Sequence, residues 1–309
     1  MSILGLHHMT AIAADAQQNL DFYRDVLGLR FIKKTVNFDD PSVYHFYFAD
    51  GAASPGSVLT FFPWAGIVRG EVGAGQISAI AFEAPAGSLE FWQAHLTKRG
   101  VSVTPIQNRF GSDGLAFKDP EGLPLEILGY TNPTDTPINA TAEVSEANAL
   151  RGLATPTLLT REAQPTIDFL ADTMGAIRIS EEGNRTRLSL GVEGARGSLD
   201  VLQDPKAPSG RQGFGTVHHI AVAIADDATQ EAVQQKIAAA GHWVTPMRDR
   251  QYFHSIYFPE PAGVLCEIAT LGPGFTVDEA PDKLGTGLML PEFLEPRRAE
   301  IEAALVPVK

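Results

Sequence analysis

The stretch FKDPEGLPLE at residues 117–126 returns at residues 258–267 as FPEPAGVLCE, with Pro and Gly at the same two places and Glu at the end. A short apolar strand and an amphipathic helix closed by glycine precede each copy. The same order of elements begins twice more, from His8 and from Thr155. Repetition of this kind predicts four copies of one βαβββ module. Because a single curved half-sheet cannot bury its inner face, the modules are expected to pair.

Four modules predict an α+β fold with two paired-module domains, each enclosing a β-lined cleft. We place the N-terminal domain at residues 1–135 and the C-terminal domain at residues 150–271, with two modules in each. The Thr, Asn, Pro and Ala-rich stretch from Thr131 to Ala149 is the predicted linker. The tail at residues 272–309 is predicted to carry a helix, within residues 291–305, that packs back on the body.

Composition limits the kinds of site that the chain can build. Its 309 residues include 24 Lys and Arg, 37 Asp and Glu, one Cys and eight His, with a net charge of −13. A single cysteine excludes a disulfide framework and thiolate zinc sites, so any metal must be held by histidine and carboxylate. The acidic balance, with no basic cluster, argues against a nucleic-acid partner.

The sequence shows no targeting or membrane signal. Residues 1–14 are apolar but lack a basic start and a long apolar run. No run approaches the roughly 18 apolar residues that span a bilayer. We therefore expect a cytoplasmic protein with no membrane partner.

Two histidines recur at one position of the repeat. His8 and His219 stand on the first strands of modules one and four, each seven residues before an acidic residue, and Ser78 and Thr155 stand there in the other two modules. Glu267 is expected on the last strand of module four. Two imidazoles and one carboxylate are the facial triad of non-haem Fe(II) oxygenases, which leaves positions open for substrate and dioxygen. A lone histidine on a strand is more often structural, but this register favours a metal site.

Longer stretches connect the chain to a known family: GLHHMT (5–10), LGLRFIKKTVNFDDP (27–41), YHFY (44–47), HHIA (218–221) and EIATLGPGF (267–275). With them the chain resembles the vicinal-oxygen-chelate superfamily, which holds glyoxalases, bleomycin resistance proteins and extradiol dioxygenases. Within it, the resemblance is to ring-cleaving dioxygenases of the hydroquinone 1,2-dioxygenase type, and it covers nearly the whole chain.

The resemblance implies an extradiol-type, ring-cleaving dioxygenase that degrades aromatic compounds. Its metal ligands are carried onto His8, His219 and Glu267, its cofactor is Fe(II) with Mn(II) as an alternative, and its substrates are O2 and a hydroquinone or related small aromatic. Catechol extradiol enzymes take their ligands from modules three and four. That arrangement is excluded here because module three has Thr155.

Active-site positions of the family also match His7, Thr10, His218, Arg250 and Tyr257. Tyr257 is expected to hydrogen-bond the bound phenolate or oxygen, and Arg250 to balance anionic charge. Simple alternation puts these two on opposite faces of a strand, so Arg250 is expected before the regular strand or beyond a bulge.

The remaining candidates carry weaker hypotheses. Alternation places His7 and His218 on the face opposite the ligands, where they either support the ligand rings or are ordinary polar residues. His254 is a candidate proton relay that supports the site from outside the ligand set. Glu126 is interpreted as a vestigial or structural carboxylate rather than as part of a second metal site. Cys266 is expected to be buried and to face away from the ligands. The aromatic residues at 44, 46 and 48 fit a cavity wall and a core equally well. Residues without a case for function are His45, His95 and His242.

Two other functions compete. A glyoxalase-like isomerase or lyase would use Zn²⁺ or Ni²⁺ on the same scaffold, and it needs a second carboxylate as base. A metal-free protein that binds drugs or aromatic compounds is the alternative outside enzymes. The sequence leaves the oligomeric state open between a monomer and a homo-oligomer.

Overall fold

The computed structural model describes residues 3–309, in which sixteen strands form two eight-stranded sheets curled into half-barrels. The strands of the first half of the chain are β1 (Leu6–Ala13), β2 (Arg30–Asn37), β3 (Asp40–Ala49), β4 (Val58–Pro63), β5 (Gln76–Pro85), β6 (Thr104–Arg109), β7 (Ser112–Lys118) and β8 (Pro124–Tyr130). Those of the second half are β9 (Thr157–Thr160), β10 (Ile177–Glu182), β11 (Arg185–Ser189), β12 (Ser198–Gln203), β13 (Thr216–Ile224), β14 (Arg248–Asp249), β15 (Phe253–Pro259) and β16 (Leu265–Pro273).

Helices are sparse and lie between the first and second strands of each module. They are α1 (Ala16–Asp21), which continues as a π-helical turn over Phe22–Val26, α2 (Leu89–Lys98), α3 (Gln164–Met174), α4 (Asp227–Ala239) and, in the tail, α5 (Arg298–Ala304). Short 3₁₀ turns cover Ala86–Ser88, Ala195–Gly197 and Glu295–Arg297. Across residues 3–309, every helix falls short of the length and apolar character that a membrane crossing requires.

The sheets confirm the four-module fold but pair the modules across the chain. The first sheet has the order β14-β15-β16-β13-β1-β4-β3-β2, and the second has β10-β11-β12-β9-β5-β8-β7-β6. Modules one and four therefore share one sheet, and modules two and three share the other. The expected division into domains at residues 1–135 and 150–271 does not describe the sheets, because each sheet takes one module from each range. The physical link is the antiparallel contact of β1 with β13 and of β5 with β9.

Acidic residues start the helices that follow the histidine strands. The Asp15 side chain accepts a hydrogen bond from the backbone N–H of Gln18 at the start of α1. Asp226 accepts one from the backbone N–H of Thr229 at the start of α4. Each carboxylate satisfies an N–H that the first helical turn leaves free. The fixed distance from histidine to aspartate thus reflects a strand followed directly by a capped helix.

Two β-bulges lie where β1 meets β13. His8 pairs with Ala221 while Leu6 pairs with Val222, so His7 is the extra residue on β1. Thr10 pairs with His219 and Ala11 pairs with Val217, so residue 218 is the extra residue on β13. A bulge changes the direction of the side chains beside it. These two bulges lie directly at the predicted metal ligands.

The C-terminal tail packs on the sheet of modules one and four. Ile301 of α5 is buried in a cluster with Val36 and Leu305. The tail helix is shorter than the predicted range of residues 291–305, because the first part of that range forms an irregular stretch and a 3₁₀ turn. Further along the sheet, the buried ammonium group of Lys33 lies 2.6 Å from a carboxylate oxygen of Asp278 and also contacts Glu279.

Candidate metal centre

Three buried side chains converge on the inner face of the first sheet. His8 lies on β1, His219 on β13 and Glu267 on β16, at the centre of the sheet. The two Nε2 atoms are 3.2 Å apart, and Oε2 of Glu267 lies 3.4 Å from Nε2 of His8 and 2.9 Å from that of His219. The structure therefore brings together the three ligands predicted from the repeat.

The donor set fits one metal ion. Nε2 and carboxylate oxygens that lie about 3 Å apart can all reach a single first-row cation at ligand distances of roughly 2.0–2.2 Å. Oε2 of Glu267 is buried and lacks a hydrogen-bond donor among residues 3–309. A buried carboxylate oxygen without a donor is costly, and a cation would satisfy it. The other oxygen, Oε1, accepts a short hydrogen bond from the hydroxyl of Ser255, which fixes the carboxylate.

Neighbouring histidines hold both ligand rings. Nδ1 of His8 lies 2.8 Å from Nδ1 of His7, and the same distance joins His219 to His218. For each ligand to offer the lone pair of Nε2, its Nδ1 must carry the proton and donate it to the neighbour. The bulges permit this contact, so the expectation that His7 and His218 face away from the ligands is wrong.

Electrostatics keep the neighbouring histidines neutral and the carboxylate charged. Burial, aided by the adjacent ligand, lowers the pKa of His7 to about 3 and that of His218 to about 3. Burial also lowers the pKa of His219, against the opposing effect of Glu267. For Glu267, burial opposes ionisation, but the two ligand histidines hold its pKa well below the ordinary value. Glu267 can therefore offer a charged carboxylate to a cation near neutral pH.

Arg250 and Tyr257 stand together at one wall. Nε of Arg250 lies 3.2 Å from the hydroxyl of Tyr257 and donates to it, and Nη2 lies 3.1 Å from Asp39. As expected, Arg250 precedes the regular strand, in the short connection between β14 and β15. Burial lowers the pKa of Arg250, but Tyr257 and Asp39 raise it overall. Asp39 comes from the β2–β3 turn, so the ion pair of Arg250 with Asp39 connects the two sides of the cleft at its mouth.

A hydrogen-bonded chain runs along the opposite wall. His45 contacts the hydroxyl of Tyr47 at 2.9 Å and that of Thr60 at 2.8 Å, and Thr60 contacts Thr10 at 2.7 Å. His45, for which sequence analysis offers no functional role, thus faces the metal cleft. Thr10 is fully buried and reaches the cleft only through Thr60. The signal for His45 was its alternation with the core aromatics at 44, 46 and 48, since the face opposite a core face lines the cleft.

The ligands line a cavity of about 360 Å³, a size suited to a single small aromatic ring. His218 shares this cavity with the ligands, whereas His7 lies behind His8 and against Phe253. Aromatic and charged residues complete the wall: Phe38, Asp39, His45, Tyr47, Phe62, Trp64, Trp243, Arg248, Arg250, Phe253 and Tyr257.

Several residues named from the sequence lie elsewhere. His254 is bound to Asp227 at 2.7 Å and does not line the cavity, so the geometry gives no support to a relay role. Phe46 and Phe48 belong to the core. Cys266 is buried, on the neighbouring position of β16 that faces away from the site. His95 lies on α2, where its Nε2 is 2.9 Å from the carbonyl of Val26.

Glu126 lies in the other sheet and is not part of this cluster. It pairs across to Ala81 of β5, as Glu267 pairs to Ala221 of β13. His219 lies two residues before Ala221 on β13, and Ala79 lies two residues before Ala81 on β5. Ala79 is therefore the counterpart of His219. The sequence-based match to Ser78 is therefore wrong by one residue.

Fold and site together define a class: a paired-module β-cleft protein with a buried two-histidine, one-carboxylate centre. A model of the Glyoxalase/Bleomycin resistance protein/Dioxygenase superfamily matches residues 5–127 and 152–268. The chain belongs to this superfamily.

Named relatives extend the comparison over almost the whole chain. MhqO of Bacillus subtilis, provisionally named a ring-cleaving dioxygenase, is 43% identical over 308 residues, covering 98% of this chain and 96% of the relative. The chlorohydroquinone/hydroquinone 1,2-dioxygenase of Sphingobium indicum is 37% identical over 311 residues, covering 96% of this chain and 94% of the relative.

Solved structures agree with the fold. A crystal structure from Bacillus subtilis, provisionally titled a dioxygenase, superposes with a TM-score of 0.95 at 42% identity, covering 100% of this chain and 98% of that one. Glyoxalase I from Zea mays superposes with a TM-score of 0.64 at 14% identity, covering 86% and 92% respectively, and shows the shared fold alone.

Proposed function

We propose that the chain is a metal-dependent ring-cleaving dioxygenase that acts on a hydroquinone, with Fe(II) as its metal and Mn(II) as an alternative. The observation that carries this proposal is the convergence of His8, His219 and Glu267 around an unsatisfied carboxylate oxygen, inside a cavity of single-ring size. Relatives named as ring-cleaving dioxygenases, one of them a hydroquinone 1,2-dioxygenase, support the reaction class.

His8, His219 and Glu267 would hold the metal by one face, which leaves room on the cavity side. A ferrous ion bound there supplies the electron transfer between a phenolate and dioxygen that ring cleavage needs. The protein contributes the rest through its own side chains. Ser255 fixes the carboxylate, and His7 and His218 fix the proton of each ligand ring on Nδ1.

The cavity walls orient an aromatic diol. The ring lies between aromatic side chains, which exclude water from the reacting carbons. The hydroxyl of Tyr257 donates to an oxygen at the centre, while Arg250 donates to Tyr257 and so holds that hydroxyl in place. Since burial raises the pKa of Tyr257 above its ordinary value, its proton remains available near neutral pH. His45 and the hydroxyl of Tyr47 offer further polar contacts for the second substrate hydroxyl.

The alternative isomerase lacks an observation in its favour. A glyoxalase-type site needs a second carboxylate, and among residues 3–309 the cluster that could hold a metal contains only Glu267 as an acid. The cavity carboxylate Asp39 lies at the mouth and is engaged by Arg250.

The decisive experiment reconstitutes the protein anaerobically with Fe(II) and follows oxygen uptake with hydroquinone, catechol and methylglyoxal–glutathione. We expect uptake and ring-opened product with hydroquinone. Uptake with catechol alone would refute the substrate, and isomerisation of methylglyoxal–glutathione without uptake would refute the reaction class.

A matched pair of variants tests the centre. Glu267→Gln should lose bound iron and turnover. Glu126→Gln, at the equivalent position of the other sheet, should retain both. Full iron content and turnover in Glu267→Gln would show that the ligand assignment is wrong.

A further inference from the structure

The second cleft, the inner face of the β10–β6 sheet, has ion pairs where the metal cleft has ligands. Arg109 donates from both terminal nitrogens to the two oxygens of Glu126, at 2.6 and 2.9 Å. Arg109 lies seven residues before Ala116, which pairs with Glu126 on the neighbouring strand. Arg250 likewise lies seven residues before Tyr257, which pairs with Glu267. The guanidinium of Arg109 therefore pairs with Glu126, whereas Glu267, the equivalent carboxylate of the other sheet, is free to bind a metal.

A second pair lies beside the first and leaves one cation in excess. Arg187 donates to both oxygens of Asp200, at 2.7 and 3.0 Å. Arg185 shares the same carboxylate at 3.2 Å through Nη1, which also donates to Thr157 at 2.7 Å. Within residues 3–309, Nε and Nη2 of Arg185 lack an acceptor. The cleft thus holds three guanidinium groups and two carboxylates.

The unmatched cation is largely buried. The side chain of Arg185 is 15% exposed, and burial together with the charge of Arg109 lowers its pKa. Its two free nitrogens are open to solvent rather than enclosed by protein, so an anion that replaces water there gains charge-assisted hydrogen bonds. Arg185 lies on the wall of a groove of about 1,260 Å³, so an anion from solution can reach it.

Apolar residues around Arg185 indicate what kind of anion fits. Leu202, Ala79, Ala116 and Leu125 line the same groove. Ala79 and Ala116 stand where the metal cleft has His219 and Tyr257, so the second cleft has the space that those rings fill in the first. Carboxylates also line the groove, on or beside α1 and in the β7–β8 turn: Asp15, Asp21, Asp25 and Asp119. Near Arg185 itself, free donors beside apolar side chains suit a monoanion with a hydrocarbon body.

We propose that the second cleft is a binding site for a small organic acid. The carboxylate accepts hydrogen bonds from Nε and Nη2 of Arg185, in the two-pronged geometry that guanidinium groups favour. The hydrocarbon part lies against Leu202 and the two alanines. The site is separate from the metal centre and takes a ligand of different charge.

Fluorine NMR tests the proposal on the metal-loaded protein, with 4-fluorobenzoate as the probe. We expect saturable binding of 4-fluorobenzoate and none of neutral 4-fluorobenzamide. Arg185→Met should weaken binding by roughly tenfold or more, since the contact is charge-assisted. Arg178→Met, which removes an exposed arginine from β10, should leave it unchanged.

Two further comparisons locate the site and separate binding from structure. His8→Ala should retain the binding, whereas its loss in that variant would place the probe at the metal centre and overturn the proposal. Inorganic phosphate that competed as well as benzoate would show a bare anion site and overturn the organic-acid assignment. Failure of 4-fluorobenzoate to saturate would also overturn it.

Thermal unfolding gives the second readout. Because Arg187 still holds Asp200, Arg185→Met should unfold at the wild-type temperature or above, and only the wild type should be stabilised by 4-fluorobenzoate. A variant that unfolded well below the wild type in the absence of probe would mark Arg185 as structural.

Discussion

Nδ1 of His7 lies 2.8 Å from Nδ1 of His8, on the side of the ligand ring away from Glu267. The bulge at His7 creates this contact, and its counterpart at His218 repeats it for the second ligand. Both neighbours are acceptors because burial keeps them neutral. The two bulges are therefore part of the construction of the metal centre.

Replacing the acceptor should weaken metal binding without removing a ligand. His7→Phe leaves His8 free to place its proton on either nitrogen, and we expect metal affinity to fall roughly 10- to 100-fold. Competition with a chelator measures this. His95→Phe, a matched change of a histidine on α2, should bind metal normally. Equal affinities in the two variants would contradict a role for His7 in holding the ring.

Tyr257→Phe tests the hydroxyl at the cavity wall. We expect normal metal content and a kcat lower by roughly tenfold, because one hydrogen bond to a reacting oxygen is lost. The raised pKa of Tyr257 means that its proton is retained beyond pH 10, so wild-type kcat should show no decline from this group below that pH. Tyr44→Phe serves as the control, because Tyr44 lies on the face of β3 opposite His45 and Tyr47. An equal loss of kcat in both variants would contradict the assignment.

Acid should remove the metal only below the ordinary histidine range. Protons compete with metal for imidazole, and burial lowers the pKa of His219 from its ordinary 6.5. A lowered pKa means that the competing proton binds more weakly, so affinity should stay level down to about pH 6.5 and fall below it. Metal content after dialysis across a pH series measures this. A decline that began well above pH 6.5 would show that the pKa of His219 is not lowered.

The sequence predicts the three residues of the candidate metal centre because their positions repeat with the fold. His8 and His219 occupy one register position of two modules, and Glu267 lies on the last strand of one of them, so the repeat selects two of the eight histidines and one carboxylate. His45 and Asp39 carry no such signal. His45 lies on the face of β3 opposite the aromatic residues, and Asp39 reaches the cavity from a turn. Whether they line the cavity depends on how modules one and four pack side by side in one curved sheet.

Register could not be derived from equal spacing. Ser78 and His219 each lie 48 residues before their glutamate, yet Ala79 is the true counterpart of His219. With the 3₁₀ turn that precedes α2, the helical stretch spans 13 residues in both modules, Ala86–Lys98 and Asp227–Ala239. The extra residue of module four therefore lies between the first strand and the helix. The alternation rule failed at His7 and His218 for a related reason, since a bulge changes which face a side chain takes.

Lys33 holds the tail on the metal-bearing sheet through two carboxylates. Its side chain is fully buried, it contacts Asp278 and Glu279, and it lies over the ring of Tyr252, 5.0 Å from the centroid. Lys33→Met would leave two largely enclosed carboxylates without their cation, so we expect the free energy of unfolding to fall by about 3 kcal/mol. Denaturant midpoints measure the change.

The same ion cluster predicts a rescue. Removing all three charges, with Lys33→Met, Asp278→Asn and Glu279→Gln, should restore most of the loss, because the cost lies in uncompensated buried charge. Lys34→Met, the neighbour on the other face of β2, is the control and should change stability by less than about 1 kcal/mol. A triple variant as unstable as Lys33→Met would show that the ammonium stabilises the tail by more than charge neutralisation.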